Sequence, residues 1–151
     1  MSTSQAPPLN RMVIAILSMA GLFVALYLLA SKLGLTGPLI CGIGECATVQ
    51  ASRWSTVGPV PVSALGAGGY IALLAVSLFG LQPAGLASRT VSALLLGLSA
   101  VALAFSAWLT FLEAFVIRAW CQWCVISAIL VAIIFVAALA EVRRLRGRSE
   151  A

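Results

Sequence analysis

"AWCQWCVISAILVAIIFVAALA", residues 119–140, runs for 22 residues without a charge. An α-helix rises about 1.5 Å per residue, so about 20 apolar residues cross a hydrocarbon core of about 30 Å. The stretch therefore reads as a membrane span, and its first turn carries two cysteines three residues apart. Outward from it lie three more uncharged intervals: residues 12–31 (20 residues), 54–88 (35) and 90–112 (23). The longest opens on "STVGPVPV", where Pro59 and Pro61 oppose a helix start, so its span is placed at 63–81. Four spans follow, at about 12–31, 63–81, 90–112 and 121–140, and a fifth has no room.

Composition agrees. The 151 residues are 62% hydrophobic and 9% charged, against about 25% charged in soluble domains. The expected fold is an all-α integral membrane protein, a four-transmembrane-helix bundle. The first apolar stretch is too long for a signal-peptide core and no small-residue cleavage pattern follows "LYLLASK", so it reads as an uncleaved span. Residues 1–11 read as a disordered cytoplasmic head, 12–140 as the membrane domain and 141–151 as a basic cytoplasmic tail.

With four spans both termini share a side, which collects Arg11, Arg89, Arg143, Arg144, Arg146 and Arg148; the other side has Lys32, Arg53 and Arg118. The basic majority places both termini in the cytoplasm and exposes the loop 32–62 and the turn at Arg118 outside. A net charge of +5 raises the question of nucleic acid. The run "RRLRGR" directly follows a span, where topology and anionic-lipid contact account for it, so nucleic acid is excluded as a partner.

All four cysteines, Cys41, Cys46, Cys121 and Cys124, then lie at or just inside one membrane face. An oxidising outer face and an even number point to disulfide chemistry. In "CGIGEC" two glycines keep the loop mobile. After it, Cys46, Val49, Arg53 and Val57 recur at helical spacing, which predicts a short interfacial lid helix. In the C-x-x-C, residues three apart share a helix face, and the first thiol sits among unpaired N–H groups that favour thiolate. Cys121 is expected to be the more exposed sulfur and Cys124 the deeper one. A water-facing pair and a lipid-facing pair suit a relay by thiol–disulfide exchange. The alternatives are a four-cysteine zinc site, a soft-metal transporter passing cations between cysteine pairs, or plain small apolar side chains. The absence of histidine removes histidine-held haem, Ser-His-Asp catalysis and histidine proton carriers.

The order of a wide pair in "CGIGECATVQASRWSTVGPVPVSALGAGGY", followed by "WLTFLEAFVIRAWCQWCVISA", resembles bacterial homologues of vitamin K epoxide reductase from Cys41 to about Ala128. The motif set is the paired cysteines, Ser52 and Trp54 in the lid, Gly66 and Tyr70 opening span two, and the C-x-x-C followed by Ser127. The resemblance implies a four-helix bundle around a quinone, with ubiquinone or menaquinone as acceptor and no metal. It implies that Cys124 is nearest the quinone, that Cys121 resolves with Cys124 and exchanges with Cys46, and that Cys41 exchanges with a periplasmic thioredoxin-fold protein of the DsbA kind. Because the chain ends at "RGRSEA", that partner is expected to be separate. Ser52, Trp54, Leu65, Tyr70 and Glu113 are the residues expected around the quinone. Where vertebrate members place an Asn and a Tyr on the quinone carbonyls, this chain has Val62 and Ala128, so quinone reduction rather than epoxide reduction is expected. The DsbB type reverses the order of the two cysteine pairs.

Several of these residues also have plainer readings. Glu113 is an ionisable group within the apolar region and a candidate proton relay, or it lies near the interface and pairs with Arg118. Trp120 and Trp123 read as an interfacial aromatic belt. Tyr70 and Gly66 also read as packing residues at a close helix approach.

Overall fold

Backbone in hydrocarbon can bond only to itself, so uncharged runs of this length are driven into helices. In the computed structural model, which describes residues 9–150, four helices are long and apolar enough to cross a membrane. They are α1 (Leu9–Lys32), α3 (Val62–Leu81), α4 (Arg89–Phe111), which continues as a π-helical segment over Leu112–Ile117, and α5 (Gln122–Glu150). The chain is a multi-pass membrane protein. α1 packs on α3 and α5, and α4 packs on α3 and α5, which closes a four-helix ring. Its core holds Ile14, Ala25, Ala67, Tyr70, Leu73, Leu95, Val131 and Ile134. Ile16, Phe23 and Val136 point out and stay exposed, which is reasonable only where the surroundings are lipid.

Small side chains let the helices approach. A methyl group at Gly21 would overlap the Tyr70 ring, so α1 gives the ring its place. Gly66, expected to serve close approach, has only ordinary contact room beside Ala25.

Between α1 and α3 the chain caps one end of the ring with α2 (Cys46–Ala51), a 3₁₀ turn at Arg53–Ser55 and a two-stranded hairpin, β1 (Thr56–Val57) with β2 (Val60–Pro61). The lid helix expected to run to Val57 stops at Ala51. Ser52 is extended (φ −69°, ψ 154°), and its hydroxyl donates to the Val49 carbonyl at 2.8 Å. Such a local bond competes with helix propagation. Lys32, at the last turn of α1, donates from Nζ to the Gln50 carbonyl (2.5 Å) and the Ser55 hydroxyl (2.6 Å), fastening α2 to the bundle.

The opposite end is closed by Arg11, which is fully buried. Its Nη1 donates to the carbonyls of Gly80 and Gly85, each at 2.6 Å, and its Nη2 to the Ser92 hydroxyl at 3.0 Å. Its Nε lies 3.2 Å from Glu141 Oε1, also fully buried. Of the head expected to be disordered, residues 1–8 lie outside the described residues, and 9–11 open α1. The tail from 141 to 150 is helical, and Glu141 packs inside the bundle rather than in solvent.

Candidate functional site

The four cysteines gather at one end of the ring. Cys41 and Cys46 form a disulfide with Cα atoms 6.0 Å apart, while Cys121 and Cys124 are free thiols. The loop pair is thus joined and the C-x-x-C pair is open. Cys46 and Cys121 lie in one buried cluster with Val49 and Ala119.

The loop that carries the disulfide is seated on the turn before α5. Gly44 forms an isolated antiparallel bridge with Cys121, and the Glu45 N–H donates to the Trp120 carbonyl at 2.7 Å. Gly44 has φ 95°, and a Cβ there would collide with the Trp120 carbonyl, so the seat needs glycine on both counts.

The exposure order expected for the C-x-x-C is reversed. Cys121 is 0% exposed because the seated loop covers it, whereas Cys124 is half-buried and opens into a cavity. Cys121 stands immediately before α5, and its sulfur accepts the Cys124 N–H at 3.4 Å. The Cys124 thiol, and then the N–H groups of Cys124 and Trp123, hold the Cys121 thiol below its usual pKa; burial and the charge of Glu113 oppose them.

The cavity, of ≈ 270 Å³, runs between the helices beneath the lid. Ser52, Trp54, Leu65, Tyr70 and Glu113 all line it together with Cys124. Aliphatic and aromatic side chains of α1, α3 and α4, among them Leu28, Leu73, Val101 and Phe105, supply most of the wall. Such a chamber, apolar with a few convergent polar groups, fits a flat lipid-soluble ring. Val62 and Ala128 also line it, so no amide or phenol reaches in from those two positions. The polar groups present are hydroxyls, the Gln50 amide, the Trp54 indole, the Cys124 thiol and one carboxyl. Tyr70 Oη is 2.7 Å from Ser127 Oγ and 3.1 Å from the Ser127 carbonyl. Ser63, which sequence reasoning passed over, is buried, lines the cavity, and has no hydrogen-bond partner for its hydroxyl among the described residues. Its only sequence signal is its place next to Val62.

Glu113 is 4% exposed and accepts the Cys121 N–H through Oε2 at 3.3 Å. The pairing with Arg118 does not form. Among the described residues the ion pairs are Arg11 with Glu141 and Arg144 with Glu141, and Arg118 is exposed. The cause is the π-helical turn, whose wider winding buries Leu112 and Glu113 together and ends on Arg118 in the left-handed region (φ 56°, ψ 35°).

The tryptophans divide. Trp54 lines the cavity with the Arg53 guanidinium 4.8 Å above its ring. Trp120 is 49% exposed, as a belt residue would be. Trp123 is not free for a belt: its ring packs edge-on against Tyr27 at 5.3 Å, and its Nε1 donates to the Ile40 carbonyl at 2.9 Å.

Among the described residues no three His, Cys, Asp or Glu side chains converge as metal ligands would. With Cys41 and Cys46 joined, the four thiolates of a zinc site are not assembled. Compared with known protein families, residues 12–139 match the family model described as the Vitamin K epoxide reductase family.

Proposed function

The chain belongs to the vitamin K epoxide reductase family, a family of thiol oxidoreductases, and on that premise we propose that it carries electrons from a reduced periplasmic thioredoxin-fold protein of the DsbA kind to a membrane quinone. The observation that carries this reading is that Cys124 opens into the apolar cavity while Cys121 is packed against Cys46 of the Cys41–Cys46 disulfide. The cysteine end then faces the periplasm of a cell inner membrane and both termini the cytoplasm, in keeping with the distribution of basic residues.

In the relay, a thiolate of the partner attacks Cys41 and breaks its bond to Cys46. The partner's second thiolate resolves the mixed disulfide, leaving the partner oxidised and both loop cysteines reduced. With the C-x-x-C in its disulfide form, the Cys46 thiolate attacks Cys121 and Cys124 departs as a thiolate. Cys41 then attacks Cys46, restoring the loop disulfide and releasing Cys121. A depressed Cys121 pKa makes it a good leaving group in that step.

Ubiquinone or menaquinone accepts two electrons and two protons. As Cys121 and Cys124 rejoin they would supply the electron pair, and the two protons are those that the sulfurs took up after leaving as thiolates; Glu113 stands at the Cys121 amide to take one. Ser52, Trp54, Leu65 and Tyr70 would hold the ring under the lid, with the Ser63 and Ser127 hydroxyls able to reach its oxygens.

Single substitutions test the order. Cys41→Ser should abolish oxidation of the thioredoxin-fold partner while leaving part of the quinone reduction driven by a small dithiol. Cys124→Ser should abolish both. Equal loss in the two assays would refute the assigned order.

A further inference from the structure

The two residues between the cysteines of a C-x-x-C usually matter through the helix that they start. Here both reach away from it. Gln122 Oε1 accepts the backbone N–H groups of Gly42 (2.9 Å) and Ile43 (3.1 Å), and Trp123 Nε1 donates to the Ile40 carbonyl. On the other flank the Tyr27 hydroxyl accepts the Ile40 N–H at 3.0 Å while its ring braces Trp123. Every one of these bonds grips the backbone of residues 40–43, either side of Cys41, and none depends on the loop's side chains. The Gly44–Cys121 bridge and the Glu45–Trp120 bond hold the loop on the Cys46 side, but around Cys41 side-chain packing adds little, since Ile40 and Ile43 are 77% and 79% exposed. It must nonetheless present Cys46 to Cys121 and Cys41 to a protein.

We propose that Gln122 and Trp123 are the docking residues of the relay, holding the backbone around Cys41 so that Cys46 meets Cys121 in each cycle. They are positioning residues, acting on the exchange between the two pairs and not on the chemistry at the quinone. The inference rests on the relay reading. In the exchange the Cys46 thiolate forms a bond to Cys121 as the Cys121–Cys124 bond breaks and Cys124 takes the electron pair, so nothing beyond the four cysteines is consumed. A single amide oxygen taking two N–H groups is a strict geometric requirement, which a carboxylate oxygen at the same place would also meet.

The test uses the full chain in detergent or nanodiscs. With Cys41 and Cys124 both replaced by serine, the equilibrium between free thiols and the Cys46–Cys121 disulfide is measured in glutathione buffers. Gln122→Met should lower this equilibrium constant roughly ten- to hundredfold, for the loss of two hydrogen bonds. Gln122→Glu should stay near the parent, and Trp123→Phe, which keeps the ring and loses the donor, should fall between. In the four-cysteine chain Gln122→Met should slow partner-driven quinone reduction. In a Cys41→Ser/Cys46→Ser chain it should leave dithiol-driven quinone reduction unchanged. An unaltered Cys46–Cys121 equilibrium in Gln122→Met would overturn the proposal, as would an equal loss in the dithiol-driven assay. If the unsubstituted chain reduces no quinone while the Cys46–Cys121 equilibrium still responds to Gln122, the relay reading fails and the docking stands.

Discussion

Glu113 and Cys121 are joined by one hydrogen bond, from the Cys121 amide to the carboxyl, yet they separate into different tests. Glu113→Gln keeps an oxygen at that amide and removes only the base. Quinone reduction should therefore fall roughly 10²-fold or more, while the Cys46–Cys121 equilibrium is retained; loss of both would make Glu113 structural. Cys121 has a lowered pKa, so its thiolate persists at pH values where a free thiol, with a pKa of about 8.5, is protonated. Ultraviolet thiolate absorbance lost on replacing Cys121 should titrate below that value. Cys124→Ala, which removes the thiol donating to Cys121, should shift the titration upward. The cysteine positions and the N–H groups that favour a Cys121 thiolate were legible in sequence, because spacing alone puts the first sulfur at the start of the helix; the larger lowering, by the Cys124 thiol, is a contact of the folded turn. The burial of Cys121 was not legible, since the cover comes from a loop some 80 residues away in sequence, bonded to Gln122.

At the scale of elements, the lid and the π-helical turn shape the cavity. Lys32 places its cation at the C-terminal end of α2, on a carbonyl with no helical partner, where a positive charge is favoured. Lys32→Met should loosen the lid and raise the quinone KM roughly tenfold, with a smaller effect on thiol exchange. An unchanged KM would mean that the lid is held by its apolar face alone. The lid was visible as a three-and-four spacing, but its end at Ala51 was not, because Ser52 and Lys32 stop it by bonds that periodicity does not encode. Likewise no sequence signal marks Leu112–Ile117 as π-helical, and that one turn redirects Glu113 from Arg118 to Cys121.

For the whole molecule, the end away from the cysteines holds the ring shut through one buried cation. Arg11 of α1 binds one carbonyl in the last turn of α3 and one after it, a hydroxyl of α4 and the carboxylate of α5, so it touches every spanning helix. Removing one partner of a buried pair leaves the other uncompensated. Arg11→Met should cost about 3–5 kcal/mol, read as a lower Tm in detergent, and Arg11→Met/Glu141→Leu should recover much of it. A double variant no better than the single would show that the carbonyl contacts, not the ion pair, carry the effect.

By itself the sequence determined a four-span helical membrane protein, because length and apolarity are summed along the chain and hydrocarbon leaves the backbone no other choice. The cysteine order likewise sufficed to suggest the family. Only the tertiary structure decided that Cys124 rather than Cys121 is the open thiol, and that Glu113 faces the thiols. It also decided that Arg11 is a buried staple, and that the pair "QW" within "CQWC" reaches back to the loop. These are facts of contact between segments far apart in sequence. A pattern of 3.6 residues fixes which face a residue occupies, but which neighbour fills that face is set by how the helices and loops close upon one another.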